Sequence, residues 1–317
     1  MNKWQPHMLG LIAPTLTLAC LLAGSWWMGL TIVTVLVAYP IFDALAGSST
    51  ETDPLQEGKA HSVILHIHGL FVPLLVCVML WRVSIDGLTL PVWLGVVSTG
   101  LSTGGSGIVA AHELGHRRPR SLSWWLARID LLSVLYLHFT VEHNHTHHKH
   151  WARPVDPTSS PWGRSIYAHV LRTVPLQVMG ALRARRKETI RSLLFEAALL
   201  VALYAYSPPI LLAFVVQAGI AIFLVEFVNY LQHHGLRRES DERPNATHAW
   251  ESRHRWSRWT LLELPLHPSH HLKSSTPYHR LDVHDEAPQL PFGYYVMFWA
   301  ALFPPLFTRL LRPQAAK

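Results

Sequence analysis

Six long apolar runs dominate the chain, at about 8–23, 25–46, 62–81, 88–111, 192–206 and 208–231. Most approach the ~20 residues that a helix needs to cross the hydrocarbon core of a bilayer. The two shortest, 8–23 and 192–206, would have to thin the bilayer or recruit flanking residues. Two pairs are separated by almost nothing: Gly24 in one case, Ser207 with Pro208 and Pro209 in the other. Such joints predict tight helical hairpins. Two further apolar stretches, 129–139 and 292–307, are too short or too broken by Pro304 and Pro305 to span. They are expected to lie at the membrane surface or beneath the bundle.

Composition agrees with this pattern. Half of the residues are hydrophobic and 15% are charged, against roughly 25% charged in a soluble domain. The first run could be read as a signal peptide. No small-residue cleavage site precedes the second run, so retention is the expectation. Six crossings put both termini, the loop 112–191 and the tail 232–317 on one side. Of the 27 Lys and Arg residues, only Arg82 then falls clearly on the other side. This asymmetry predicts a multi-pass protein of the bacterial-type cytoplasmic (inner) membrane, its termini and large polar regions in the cytoplasm. The net charge of +7 therefore reports topology first. The basic residues are spread along membrane-flanking loops, which argues against nucleic-acid binding and leaves an acidic protein partner open. With no linker, repeat or low-complexity segment, residues 1–317 read as one domain. Its fold class is all-α: an integral membrane protein of six transmembrane helices with a cytoplasmic, histidine-rich cap.

That cap carries the chemistry. Cys20 and Cys77 both sit in apolar runs and suggest neither a disulfide framework nor a thiolate site. Histidine, present 22 times, is the obvious metal ligand. "AHELGHRRPR" ends the fourth run and puts His112 and His116 one turn apart. "EHNHTHHKH" (142–150) packs five histidines into nine positions. "NYLQHHGL" ends the sixth run, and "LHPSHH" spaces His267, His270 and His271 at i, i+3, i+4. One HxxxH pair arises easily by chance. Several clusters on one membrane face, with about nine ligands, exceed the roughly four to six that a single ion takes, so two metals are expected. On an ideal helix His143, His147 and His150 share a face, while His145 and His148 turn away.

Two other chemistries compete. "HELGH" fits the HExxH pattern of zinc proteases, whose glutamate is a general base. An intramembrane protease would also need a third ligand from a later helix. The only Asp-Gly pair, Asp86-Gly87, precedes the motif and lies on the opposite side. A metal transporter would carry ionisable groups along its spans. These are nearly clean apart from His66, His68, Glu196 and Glu226.

The sequence resembles the membrane-bound alkane monooxygenases (alkane ω-hydroxylases), a branch of the histidine-box di-iron superfamily that includes fatty-acid desaturases. "HELGHRRPR" resembles the first box, with Arg117 where Lys is common. "EHNHTHHKHWARPVDPTSSPWGRSIY" resembles the second box and its tail, in which Asp156, Pro157, Gly163, Ser165 and Tyr167 fit. "NYLQHHGL" resembles the HYG motif, with His234 in place of tyrosine. "LHPSHH" resembles the third box, with Pro268 and Ser269 in place of Ser-Asp. "DALAG" (43–47) and "PQLPFGYYVMFWAALFPPLFTRLLRP" extend the likeness over nearly the whole chain.

This resemblance implies two iron ions (Fe2+/Fe3+) with O2 as co-substrate. As ligands it implies His112, His116, His143, His147, His148, His233, His267, His270 and His271. Within "EHNHTHHKH" it thus selects His148 over His150, against the ideal-helix reading. Pro268 suggests that His267 caps the third box from outside its helix. The implied reaction is hydroxylation of a terminal methyl group, alkane to 1-alkanol. Aryl-methyl (xylene-type) monooxygenases and fatty-acyl desaturases share the boxes and are the nearest rivals. No Rossmann fingerprint, haem motif or paired Cys motif occurs. Electrons are therefore expected from a rubredoxin-type carrier with an NAD(P)H-dependent reductase, and the apolar hydrocarbon from the bilayer lipids.

Groups expected around the ligands are Glu113, Glu142, Asp156, Glu226 and Asn229, the last two sharing a helix face with His233. The small-residue run "STGLSTGGSG" (98–107) above His112 either leaves room for an alkyl chain or packs helices closely. His66 and His68 read as hydrogen-bonded interior residues. His7, His61, His169, His248, His254, His279 and His284 read as surface residues.

Overall fold

The structure, a computed structural model, describes residues 4–315 apart from 54, 56 and 240. Among these there is no strand, only two isolated bridges, Ser48 with His254 and Glu251 with Gln289. Six helices are long and apolar enough to cross a bilayer. They are α1 (Gln5–Ala23), α2 (Ser25–Leu45), α3 (Lys59–Asp86) and α4 (Leu90–Gly115), which lead into the histidine-rich region. After it come two short helices, α5 (Leu122–Ser133) and α6 (139–150), then the spans α7 (Ile166–Tyr206) and α8 (Pro208–His233). The tail adds α9 (Arg255–Thr260), α10 (His267–Leu272), α11 (Tyr294–Ala301) and α12 (Pro304–Ala315). Of the two stretches expected not to span, 129–139 ends α5, turns into α6 and is largely buried, and 292–307 covers α11 and the start of α12.

Burial ranks the spans. In its most apolar stretch α4 is 83% buried, and α7 is 17% buried. So α4 is the central helix and α7 lines the outside. Buried hydroxyls join the spans where apolar contact alone gives little between helices in lipid. Thr17 Oγ1 lies 2.9 Å from Thr31 Oγ1 and 2.7 Å from Ser102 Oγ, and His68 Nδ1 lies 2.5 Å from Ser106 Oγ. The turn between α1 and α2 needs Gly24, whose φ is +75°. Arg82, the lone basic residue on that side, donates to the carbonyls of Leu21 and Leu22 and so closes the end of α1. At the other end of α2, buried Asp43 accepts from Ser257 N (3.2 Å), Ser257 Oγ (2.8 Å) and Tyr295 N (3.1 Å). This carboxylate pins the tail helices α9 and α11 under the bundle.

The fifth span differs from expectation. The helix does not begin near 192 but runs from Ile166 to Tyr206, with one non-helical residue, Arg185 (φ −145°, ψ 65°). Residues 166–191 fall within the expected loop 112–191, yet they are helical on both sides of a kink at Arg185, helped by the helix-forming Arg and Lys around it. No thinning of the bilayer is required. The first span likewise starts earlier, at Gln5, with Pro6 in its first turn.

Candidate metal centre

The histidines of α4, α6, α8 and α10 converge at the membrane-proximal base of the polar cap. They form two groups, in each of which one ring nitrogen per residue lies within 4.8 Å of all the others. One group is His112, His116, His143, His148 and His270. The other is His147, His233, His267 and His271. All nine residues that the family resemblance implies are thus brought together, and none is left out. His145 is exposed, and half-buried His150 belongs to neither group.

The opening of α6 explains this division. Residues His143–His147 form a π-helical turn, which places residues five apart over one another. His143 Nε2 therefore lies 2.9 Å from His148 Nε2, and His270 Nε2 lies 3.1 Å from His148 Nε2. His147 points the other way, its Nε2 3.1 Å from that of His271. The ideal-helix grouping of His143, His147 and His150 fails because the wider turn inserts a residue between faces. The third box also corrects an expectation. Leu266 is the N-cap and His267 is the first helical residue, with Pro268 after it. His267 Nε2 consequently reaches 3.0 Å from His233 Nε2.

These spacings fit a metal. Two nitrogens bound at ~2.1 Å on perpendicular axes are ~3.0 Å apart. His116 Nε2 is buried among the rings of its group with no hydrogen-bond partner among the described residues. The protonation state fits too. Burial first, then the neighbouring imidazoles, hold His143, His148, His267, His270 and His271 well below the ordinary histidine value. Burial and the charge of Arg117 bring His116 down to about 4. Neutral rings offer the lone pairs that a metal needs.

Fixed neighbours hold the rings in place. His143 stacks on Phe139 (centroids 5.0 Å apart), and His271 stacks on buried Trp151 (4.3 Å). His147 Nδ1 lies 3.1 Å from Asp156 Oδ2 and 2.7 Å from Thr158 Oγ1. Asp156 in turn accepts from Thr158 N (3.2 Å), Thr158 Oγ1 (2.8 Å) and Ser159 Oγ (2.6 Å). Burial pushes this carboxyl up, but the His147 ring and the Ser159 hydroxyl beside it outweigh that and hold it at about 2.

The other groups expected near the ligands lie differently. Glu113 accepts from Arg117 Nη2 (2.8 Å) and faces the Tyr278 backbone N–H (3.4 Å). Glu226 accepts from Tyr136 Oη (2.7 Å), Gln177 Nε2 (3.0 Å) and Asn229 Nδ2 (3.3 Å), forming a network beside the histidines. Glu142 is fully buried, and neither carboxylate oxygen has a hydrogen-bond partner among the described residues. Burial first, then Asp156 and Glu226, push it well above the usual carboxylate range. His66 and His68 are hydrogen-bonded within the bundle as expected.

Four of the seven histidines read as surface residues, His7, His61, His169 and His248, are instead buried. His169 was legible: with Thr173 and Gln177 it forms a polar stripe at i, i+4, i+8 on α7, all fully buried. The roles of Phe139, Trp151, Thr158 and Ser159 carried no such signal.

Apolar space adjoins both groups. A cavity of about 40 Å3 is lined by His112, His143 and His267 together with Phe139, Val225, Val228 and Asn229. It shares Gly104, Val109 and Val228 with a second cavity of about 70 Å3 that reaches Leu36, Phe298 and Trp299. Both readings of the small-residue run hold, at different residues. A Cβ on Gly100 or Gly104 would meet α8 at 2.7–2.8 Å, whereas one on Gly105, which lines the outer cavity, would meet nothing within 4 Å.

A model of the fatty acid desaturase family matches residues 88–301. An alkane 1-monooxygenase of Pseudomonas aeruginosa is 31% identical over 92% of this chain and 83% of its own length. The chain belongs to the membrane-bound alkane monooxygenase family. It is accordingly an oxidoreductase of the hydroxylase type. An alkane 1-monooxygenase of Alcanivorax borkumensis is 28% identical over 98% of this chain and 83% of the relative. A xylene/toluene monooxygenase hydroxylase component of Pseudomonas putida is 31% identical over 63% of this chain and 58% of the relative. Membership gives the cap a natural use. His112, His116 and His233 come from the ends of two spans, and the other six from the short helices α6 and α10 packed against them.

Proposed function

We propose that the protein hydroxylates a terminal methyl group of an alkane to the 1-alkanol, with O2 and two iron ions held by the nine histidines. The observation that carries this reading is the pairing of two converging histidine groups with an apolar cavity opening on three of their rings. Iron held there would supply the oxygen-activating redox chemistry that an unactivated C–H bond demands and no side chain can perform.

The chain's own residues have three tasks. The first is to present the ring nitrogens: Asp156 keeps the proton of His147 on Nδ1 and leaves Nε2 free, while Phe139 and Trp151 fix two more rings. The second is to steer the substrate. Val109, Val225 and Val228 line a path in which an alkyl chain can lie with one end near His112, His143 and His267. The third is to exclude water. The four-histidine group is wholly buried, whereas His112, His116 and His148 of the other are half-exposed. That open edge is where a separate carrier would deliver electrons. We infer a rubredoxin-type carrier with an NAD(P)H-dependent reductase, a site in the cytoplasm, and insertion in the inner membrane of a bacterial-type cell.

The test is product analysis by mass spectrometry in cells fed medium-chain alkanes, xylenes and fatty acids, with rubredoxin and its reductase co-expressed. Primary alkanols are expected. A purely olefinic product would overturn hydroxylation in favour of desaturation. Metal analysis of the purified protein should give near two irons per chain, and activity with a single zinc would refute the reading. The xylene/toluene relative supports a second reading, aryl-methyl hydroxylation, for which the product would be a benzylic alcohol.

A further inference from the structure

Away from the histidines, α5 and the part of α7 beyond its bend enclose a third cavity, of about 360 Å3. Its wall has two halves. Ile129, Leu132 and Phe195 make one side apolar, and Arg120, Arg128 and Arg191 make the other basic, with Glu188 the one carboxylate in the lining. Arg128 is already engaged: Nη1 donates to the Leu137 carbonyl (2.8 Å), Nη2 to Ser192 Oγ (2.6 Å), and its guanidinium lies over Trp124. Arg120 and Arg191 are exposed, and neither is in an ion pair with any described residue.

Position identifies the occupant. Arg120 follows His116 by four residues, just past the end of α4, so the cavity lies at the membrane face that carries the histidines. Ile129 and Phe195 are 47% and 67% exposed, an apolar face suited to lipid. Trp124 and Trp125 line the same cavity, and tryptophan favours headgroup depth. Unpaired guanidiniums thus sit directly beside hydrocarbon-facing side chains, the layout that an amphiphilic anion requires. Three cations against one carboxylate leave the pocket positive.

We propose that this cavity binds one anionic phospholipid, its phosphate between Arg120 and Arg191 and its acyl chains along Ile129, Leu132 and Phe195. The bound lipid rests against the turn that leads into α6, because Arg128 holds the Leu137 carbonyl and Glu196 accepts from the Leu137 N–H (2.7 Å). The site is independent of the reaction assigned to the histidines.

The test uses the full-length protein equilibrated in mixed micelles of phosphatidylcholine and phosphatidylglycerol, with native mass spectrometry counting retained lipid. Wild type is expected to retain one phosphatidylglycerol. R120Q/R191Q should weaken retention about thirtyfold, whereas R183Q/R186Q, an equal loss of charge outside the cavity, should leave it unchanged. Equal weakening in both variants would mean a diffuse surface attraction and overturn the site. So would equal retention of phosphatidylcholine. Displacement by millimolar inorganic phosphate alone would make it a site for free anions rather than for lipid.

Discussion

Replacing Asp156 by asparagine changes one charge and almost no volume, and it tests how the four-histidine group is held. In the native arrangement Oδ2 accepts from His147 Nδ1, Thr158 Oγ1 and Ser159 Oγ, while Oδ1 accepts from the Thr158 N–H. An asparagine can keep its oxygen on the Thr158 N–H, but its NH2 then faces three groups arranged to donate. A hydrogen bond to a charged acceptor contributes ~1.5–3 kcal/mol and a neutral one ~0.5–1.5 kcal/mol. An NH2 offers His147 no acceptor, so the whole charged bond is lost, ~1.5–3 kcal/mol. That is a ten- to hundredfold weakening of metal binding. It should fall on the group of His147, His233, His267 and His271 and spare the other five histidines. Dialysis of purified D156N against graded chelator should release about one iron per chain early and the second at the wild-type concentration. Alanine at His284, whose Nδ1 pairs with Glu286 and which belongs to neither histidine group, should leave both irons in place. A D156N release curve that overlays wild type would refute the orienting role. Loss of both irons together would refute the division into two groups.

Other consequences can be checked as directly. H148A should lose iron and activity while H150A stays close to wild type. Equal loss in both would mean that the π-helical turn does not set which histidines bind. G105L, placed where a Cβ meets open space in the outer cavity, should shift product profiles toward shorter alkanes without lowering iron content. An unchanged profile would take the substrate path elsewhere. The iron-free protein should melt at lower temperature as pH falls from 7 to 5. Its buried imidazoles have folded values below the unfolded one near 6.5, so their stabilising contribution is full above that pH and lost on acidification through it. A pH-independent midpoint in scanning calorimetry would contradict their burial in the neutral form.

Much of this could be read along the chain, because the signals are local. Apolar runs long enough to cross a bilayer, the lone Arg82 on the far side and the one-turn spacing of His112 and His116 depend only on nearby residues and helix geometry. Residues 166–191 sat in the expected loop 112–191 because they hold no long apolar run, yet they form helix on both sides of a kink at Arg185. Tertiary structure decided the rest. An ideal helix groups His143 with His147 and His150. The π-helical turn groups it with His148, because rings arriving from α4 and α10 complete the two sites and hold the wider turn in place. His7, His61 and His248 look like surface residues until the tail packs around them. The assignment of five histidines to one group and four to the other is a property of four helices meeting, and no single segment encodes it.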